Sequence, residues 1–104
     1  MSKKSEGKYK PTLVYPSFIE HIARVREYGV NKHGHSEDWR TTPKVFHINA
    51  TQRHINVYTS GEEFDQESGL PHLAHAACNL MFEIERAYGS GIIEDLFHSC
   101  KNNL

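Results

Sequence analysis

His72, His75 and Asn79 stand three and four residues apart, so on a helix they fall in one line, and Asp65 and Glu67 occupy the polar turn just before it. Stacked imidazoles beside carboxylates are the ligand types that hold a divalent metal, or clamp a polyanion through one. Asp65, Glu67, His72 and His75 are therefore the candidate metal ligands. In a hydrolytic reaction Glu67, Asp65 and His75 would be the catalytic groups.

A second line of chemistry runs through the segment before that turn. Arg53 falls on the same side of its helix as Phe46, Ala50 and Val57, where a helical wheel predicts an apolar side chain. A guanidinium there needs an anion, either Asp65 or Glu67 of the same chain or the phosphate of a ligand. The neighbouring line of His47, Thr51, His54 and Tyr58 either extends the site or forms the wet face of the helix. Tyr28 and Trp39 offer aromatic surfaces to a base, or plug the core, and Lys32, His33 and His35 add proton-bearing groups nearby. Neither G-x-x-x-x-G-K-[ST] nor G-x-G-x-x-G occurs, which argues against a P-loop and a Rossmann site. H-x-x-H without the glutamate of H-E-x-x-H is no zinc-protease motif, and Cys78 reads as a core thiol.

These side chains need elements to position them. Ser17 and Glu20 form a capping box after Pro16, and Phe18, Ile22 and Val25 recur at helical spacing, predicting a first helix over 18–28 that stops at Gly29. Residues 30–42 read as a structured loop anchored by Trp39. Thr42-Pro43 opens a second helix over 43–59, and Leu70-Pro71 a third over 71–88, with Leu73, Ala77, Leu80, Ile84 and Ala87 as its apolar stripe. Apolar residues cover several other faces of this third helix, so the His72, His75 and Asn79 line is expected to be partly buried. Buried polar groups need partners at a cost of about 1–3 kcal/mol when unpaired, and neighbouring helices could supply them without any ligand. After Gly89-Ser90-Gly91, a short amphipathic helix is expected from Ile92, Ile93, Leu96 and Phe97.

The fold class that results is all-α, a small bundle of about four helices over residues 11–104, with residues 1–10 a basic solvated tail. At 104 residues the chain is one domain, and a core of this size is expected to be completed by a homo-oligomer. The composition, 38% hydrophobic and 24% charged with net charge −1, is that of a globular protein and gives no electrostatic footprint for nucleic acid. Residues 1–10 lack the apolar run of a secretory signal, no membrane partner is expected, and two cysteines without metal spacing read as reduced thiols in a cytoplasm.

Several of these residues together resemble the N-terminal domain of the phage dATP/dGTP diphosphohydrolase family. The likeness runs from Lys10-Pro11 to about Gly89. It rests on Ala23-Arg24-Val25-Arg26-Glu27-Tyr28-Gly29 with Lys32, on Gly34 and Trp39, on Arg53-His54, on Gly61 with Asp65, and on Glu67-Ser68-Gly69 leading to His72-Leu73-Ala74-His75-Ala76 and Asn79. The resemblance implies a helical domain that handles purine deoxynucleoside triphosphates with Mg²⁺ or Mn²⁺ and releases pyrophosphate, in the cytoplasm of a phage host. It puts Asp65, Glu67, His72 and His75 near metal and phosphates, Arg53 and His54 on the phosphate chain, and Tyr28, Lys32 and Trp39 near the nucleotide, with Asn79 in the same line. The broader all-α NTP pyrophosphohydrolases carry ExxE followed by ExxD; here Glu62 to Asp65 gives ExxD and no ExxE precedes it. The alternative is a protein that holds a nucleotide or a cyclic-nucleotide immune signal without cleaving it.

Overall fold

Proline has no backbone N–H to donate, so it is tolerated in or just before the first turn of a helix and disruptive further in. All four prolines of this chain stand at such starts. The structure, a computed structural model, describes residues 7–34 and 38–89. It contains helices α1 (Pro16–His33), α2 (Lys44–Thr59) and α3 (His72–Tyr88), with 3₁₀ turns at Pro11–Leu13 and Asp38–Arg40. Among the described residues no strand forms, and an isolated bridge joins Phe64 to Pro71. The expected fourth helix around Ile92 and Phe97, and most of the expected tail, lie outside the described residues. No described helix is long and apolar enough to cross a membrane.

Helix α1 departs from its expected bounds at both ends. It takes Pro16 into its first turn, behind an extended Tyr15, so Ser17 is already helical and no side-chain cap bond forms. It also runs through Gly29, because a lone glycine costs a helix only about 1 kcal/mol and does not end it. The stop comes at Gly34, which adopts the left-handed conformation with φ 75° and donates its N–H to the Val30 carbonyl. Lys32 and His33 stand in that last turn, where cations suit the helix dipole. The extra turn matters, since it carries Lys32 to the site.

Helix α3 is the central element: α2 and α1 both pack on it, and so does the Asp38–Arg40 turn. Helices α1 and α2 do not pack on each other, no Cα of one lying within 8 Å of the other. The core is small, with Val25, Ala74 and Cys78 buried and Ile22, Leu70, Met81 and Phe82 packed against them. A stack of rings closes one end of it. Arg40 lies over Trp39, Trp39 stacks on Phe82 with centroids 5.2 Å apart, and Arg26 lies over Phe82.

Two faces are the reverse of what periodicity predicts. On α2 the buried residues are His47 and Thr51, while Val45, Phe46, Ile48 and Arg53 are exposed. The polar line is thus the packed face rather than the wet one. On α3 the expected apolar stripe is open, with Leu73, Leu80 and Ile84 exposed, and the packed side carries His72, Ala74, His75, Ala76 and Cys78. Hydrogen bonds explain the inversion, because each buried imidazole finds a polar partner inside the molecule.

Candidate functional site

The site is built where α2 hands the chain to α3. Gly61 leaves α2 with φ 114°, and a closed turn follows in which the Asp65 carbonyl accepts the Gly69 N–H and the Leu70 carbonyl accepts the Asp65 N–H, each at 2.8 Å. The Asp65 carboxylate accepts the Ser68 N–H at 2.8 Å, and Gly69 supplies the positive φ of 74° that closes the loop. Burial alone would raise the Asp65 carboxyl. The Ser68 hydrogen bonds, aided by the His75 and His54 imidazoles, outweigh it and hold the group below the usual carboxylate range.

Three imidazoles meet this carboxylate. His54 from α2 stacks on His75 from α3 with centroids 4.7 Å apart, and its Nδ1 lies 2.9 Å from Nδ1 of His72. On its other side His72 donates Nε2–H to Glu62 at 2.7 Å. One ligand atom from each of His54, Asp65 and His72 can be chosen so that all lie within 4.8 Å of one another, a cluster with the makings of a metal site. His72 is the most buried of the three, at 3% exposure. Burial, then the neighbouring His75 and His72, pushes the His54 pKa down, and burial does the same to His75 despite the opposing pull of Asp65. In both rings burial favours the uncharged form.

Because α1 and α2 stand apart over α3, a cavity of about 480 Å³ opens between them. Tyr28 and Lys32 of α1, Trp39, His54 of α2, and His75 and Asn79 of α3 all line it. Lys32 pairs with Glu67, and that contact raises the lysine and lowers the carboxyl. Tyr28 also reaches Glu67, and its ring meets His75 edge-on; burial and the carboxylate push its phenol up. Trp39 is 8% exposed, its ring stacked on Phe82 and carrying Arg40, so it offers a base its edge rather than an open face, and among the described residues its buried Nε1–H has no hydrogen-bond partner. A smaller cavity of about 400 Å³ lies behind, bordered by Arg53, Glu62 and His72, and it shares His54, Asp65 and Glu67 with the first.

The residues singled out from the sequence thus gather around one junction, though not with equal roles. Asp65 and His72 cluster with His54; Glu67 is held by Lys32 and Tyr28; His75 Nε2 stands 2.7 Å from the Ser68 hydroxyl. Asn79 donates to the His75 carbonyl at 2.9 Å, and its Oδ1 lies 3.2 Å from His47 Nδ1. Arg53 makes no ion pair among the described residues, neither with Asp65 nor with Glu67. Glu62 and His47 were the least legible members. Glu62 precedes the turn by sequence but bonds a helix residue ten positions on, and His47, 4% exposed, donates Nε2–H to the Trp39 carbonyl from what reads as a solvent face.

Comparison with known proteins bears on the same residues. The family described as dATP/dGTP diphosphohydrolase, N-terminal, matches residues 1–95. The chain belongs to this family. A dATP/dGTP diphosphohydrolase of Salmonella phage PMBT28 is 36% identical over 80 residues, which cover 77% of this chain and 27% of that protein. This member of the family therefore spans about a quarter of the relative it matches. No solved structure matches.

Proposed function

We propose that this domain binds a purine deoxynucleoside triphosphate and serves its cleavage to the monophosphate and pyrophosphate. The observation that supports this reading is the shared wall, in which His54, Asp65 and Glu67 border both cavities at once. A volume of about 480 Å³ is within the range of small-ligand sites. Base and sugar would take the larger cavity, between Tyr28, Asn79 and the edge of Trp39. The phosphate chain would pass His54 and His72 toward Arg53, whose planar fork suits phosphate oxygens, with Lys32 turning to it from Glu67. The relative from Salmonella phage PMBT28 is named for dATP and dGTP, and the substrate class is carried over from that name.

In the reaction, water attacks the α-phosphorus, the α–β bridging P–O bond breaks and pyrophosphate leaves. Glu67, Asp65 and His75 are this chain's groups for accepting the proton of the attacking water, and Arg53 offsets charge on the phosphates. The resemblance brings Mg²⁺ or Mn²⁺ with it. Magnesium takes oxygen ligands in a near-octahedral shell, which a cluster of two imidazoles and one carboxylate does not match.

A second reading is retention of the nucleotide, or of a cyclic-nucleotide signal, without cleavage. It is favoured by the carboxylates' engagement, Glu67 with Lys32, Glu62 with His72 and Asp65 with Ser68. Incubating the chain with dATP or dGTP and Mg²⁺ or Mn²⁺, then chromatographing the products, separates the two. Pyrophosphate release that Glu67→Gln abolishes supports cleavage. Nucleotide recovered intact from heat-denatured protein supports retention, and a chain that neither binds nor cleaves overturns both.

A further inference from the structure

We infer that His54, Asp65 and His72 form a binding site for an imidazole-preferring transition metal of the zinc, cobalt or iron class, with Glu62 as the residue that positions His72. This deepens the reading above by naming the ion, but the argument uses no nucleotide. Two imidazoles and one carboxylate are a donor set for such metals, whereas Mg²⁺ is bound through carboxylates, phosphates and water. Three protein ligands also leave a coordination position open, as catalytic rather than structural zinc sites do.

The contacts around His72 carry the inference further than the cluster alone. A metal-ligating histidine characteristically gives its other ring N–H to a carboxylate, which fixes the tautomer and aims the lone pair. Here His72 donates Nε2–H to Glu62 at 2.7 Å, which leaves the lone pair on Nδ1, and Nδ1 faces His54 Nδ1 at 2.9 Å. Two nitrogens bound to one tetrahedral zinc sit roughly 3.3 Å apart, given metal–nitrogen lengths of about 2.0–2.1 Å. The present separation needs only a few tenths of an ångström of opening. Asp65 is anchored independently by Ser68, so the carboxylate is delivered by its turn rather than by the metal. His54 is held from behind by its stack on His75.

Arg53 and the smaller cavity give the ion a place in the site. An anion bridging the metal's open position and the Arg53 guanidinium would sit in that cavity, which Glu62, Asp65 and His72 also border.

The test is metal binding by the intact chain after chelator treatment and gel filtration. Co²⁺ added stepwise is expected to give visible d–d absorption that saturates at one ion per chain, that Zn²⁺ displaces and that excess Mg²⁺ leaves unchanged. His54→Gln and Asp65→Asn are expected to lose tenfold or more in Co²⁺ affinity with circular dichroism unchanged, and Glu62→Gln to lose about tenfold. Because His54 and Asp65 are only half-buried, these variants keep their fold where His72→Ala could lose it. Absence of the Co²⁺ spectrum, equal competition by Mg²⁺, or undiminished binding in the His54 and Asp65 variants would overturn the site. Saturable Co²⁺ binding by a chain that ignores dATP and dGTP would uphold it while removing the nucleotide reading.

Discussion

Arg53 and Cys78 show how differently two anomalous residues can be spent. Arg53 is exposed and outside the core, so Arg53→Ala should leave thermal stability nearly unchanged. If it grips phosphate, the loss of a charge-assisted pair worth about 1.5–3 kcal/mol should weaken dATP affinity roughly 10- to 100-fold in isothermal titration. An unchanged affinity would detach Arg53 from the phosphate path. Cys78 is 2% exposed, and burial pushes its thiol up to about 11, so almost none is thiolate near neutrality. In a Cys100→Ser background, native protein at pH 8 should therefore resist iodoacetamide and react fully once denatured, as mass spectrometry will show. Rapid labelling of the native chain would mean the core opens far more often than its packing implies.

Among the elements, the turn from α2 to α3 does most to position the carboxylate, and its closure depends on Gly69. A Cβ there would meet nothing within 4 Å, so the whole penalty of Gly69→Ala is conformational, at φ 74°. Denaturant titration should register a loss of about 1–2 kcal/mol, the usual cost of forcing an L-residue left-handed. Helix starts were readable in the sequence because proline marks them chemically, and the third helix came out one residue from its expected span. The end of α1 was not, since Gly29 and Gly34 look alike locally and only the chain's path selects which becomes left-handed. The faces of α2 and α3 were misread for a related reason: hydropathy ranks imidazole as polar, whereas His47 and His72 are buried through bonds to Trp39 and Glu62 that no periodicity encodes. Asp65 and His72 were legible by residue type and do come together at the junction, whereas Arg53 was picked out as a charge on an apolar face that is in fact exposed; the entry of His54 into the cluster required the packing of α2 on α3.

At the scale of the whole molecule, the open stripe of Leu73, Leu80 and Ile84 on α3 and the exposed Val45, Phe46 and Ile48 on α2 are apolar side chains that a second copy of the chain would cover. Light scattering coupled to size exclusion should return a mass above that of one chain, and Leu80→Glu with Ile84→Glu should shift it toward the monomer without unfolding α3. A monodisperse monomer in the parent would refute the expected homo-oligomer.

Since among the described residues α1 and α2 meet only by way of α3, whatever fills the gap between them becomes a keystone, completing an arch that those residues leave open. Occupancy should therefore be visible as heat resistance: a guest at 100 times its dissociation constant adds about 2.7 kcal/mol, a large increment for so slight a core. A panel of nucleotides ranked by the melting temperature each confers would identify the natural occupant before any product is assayed.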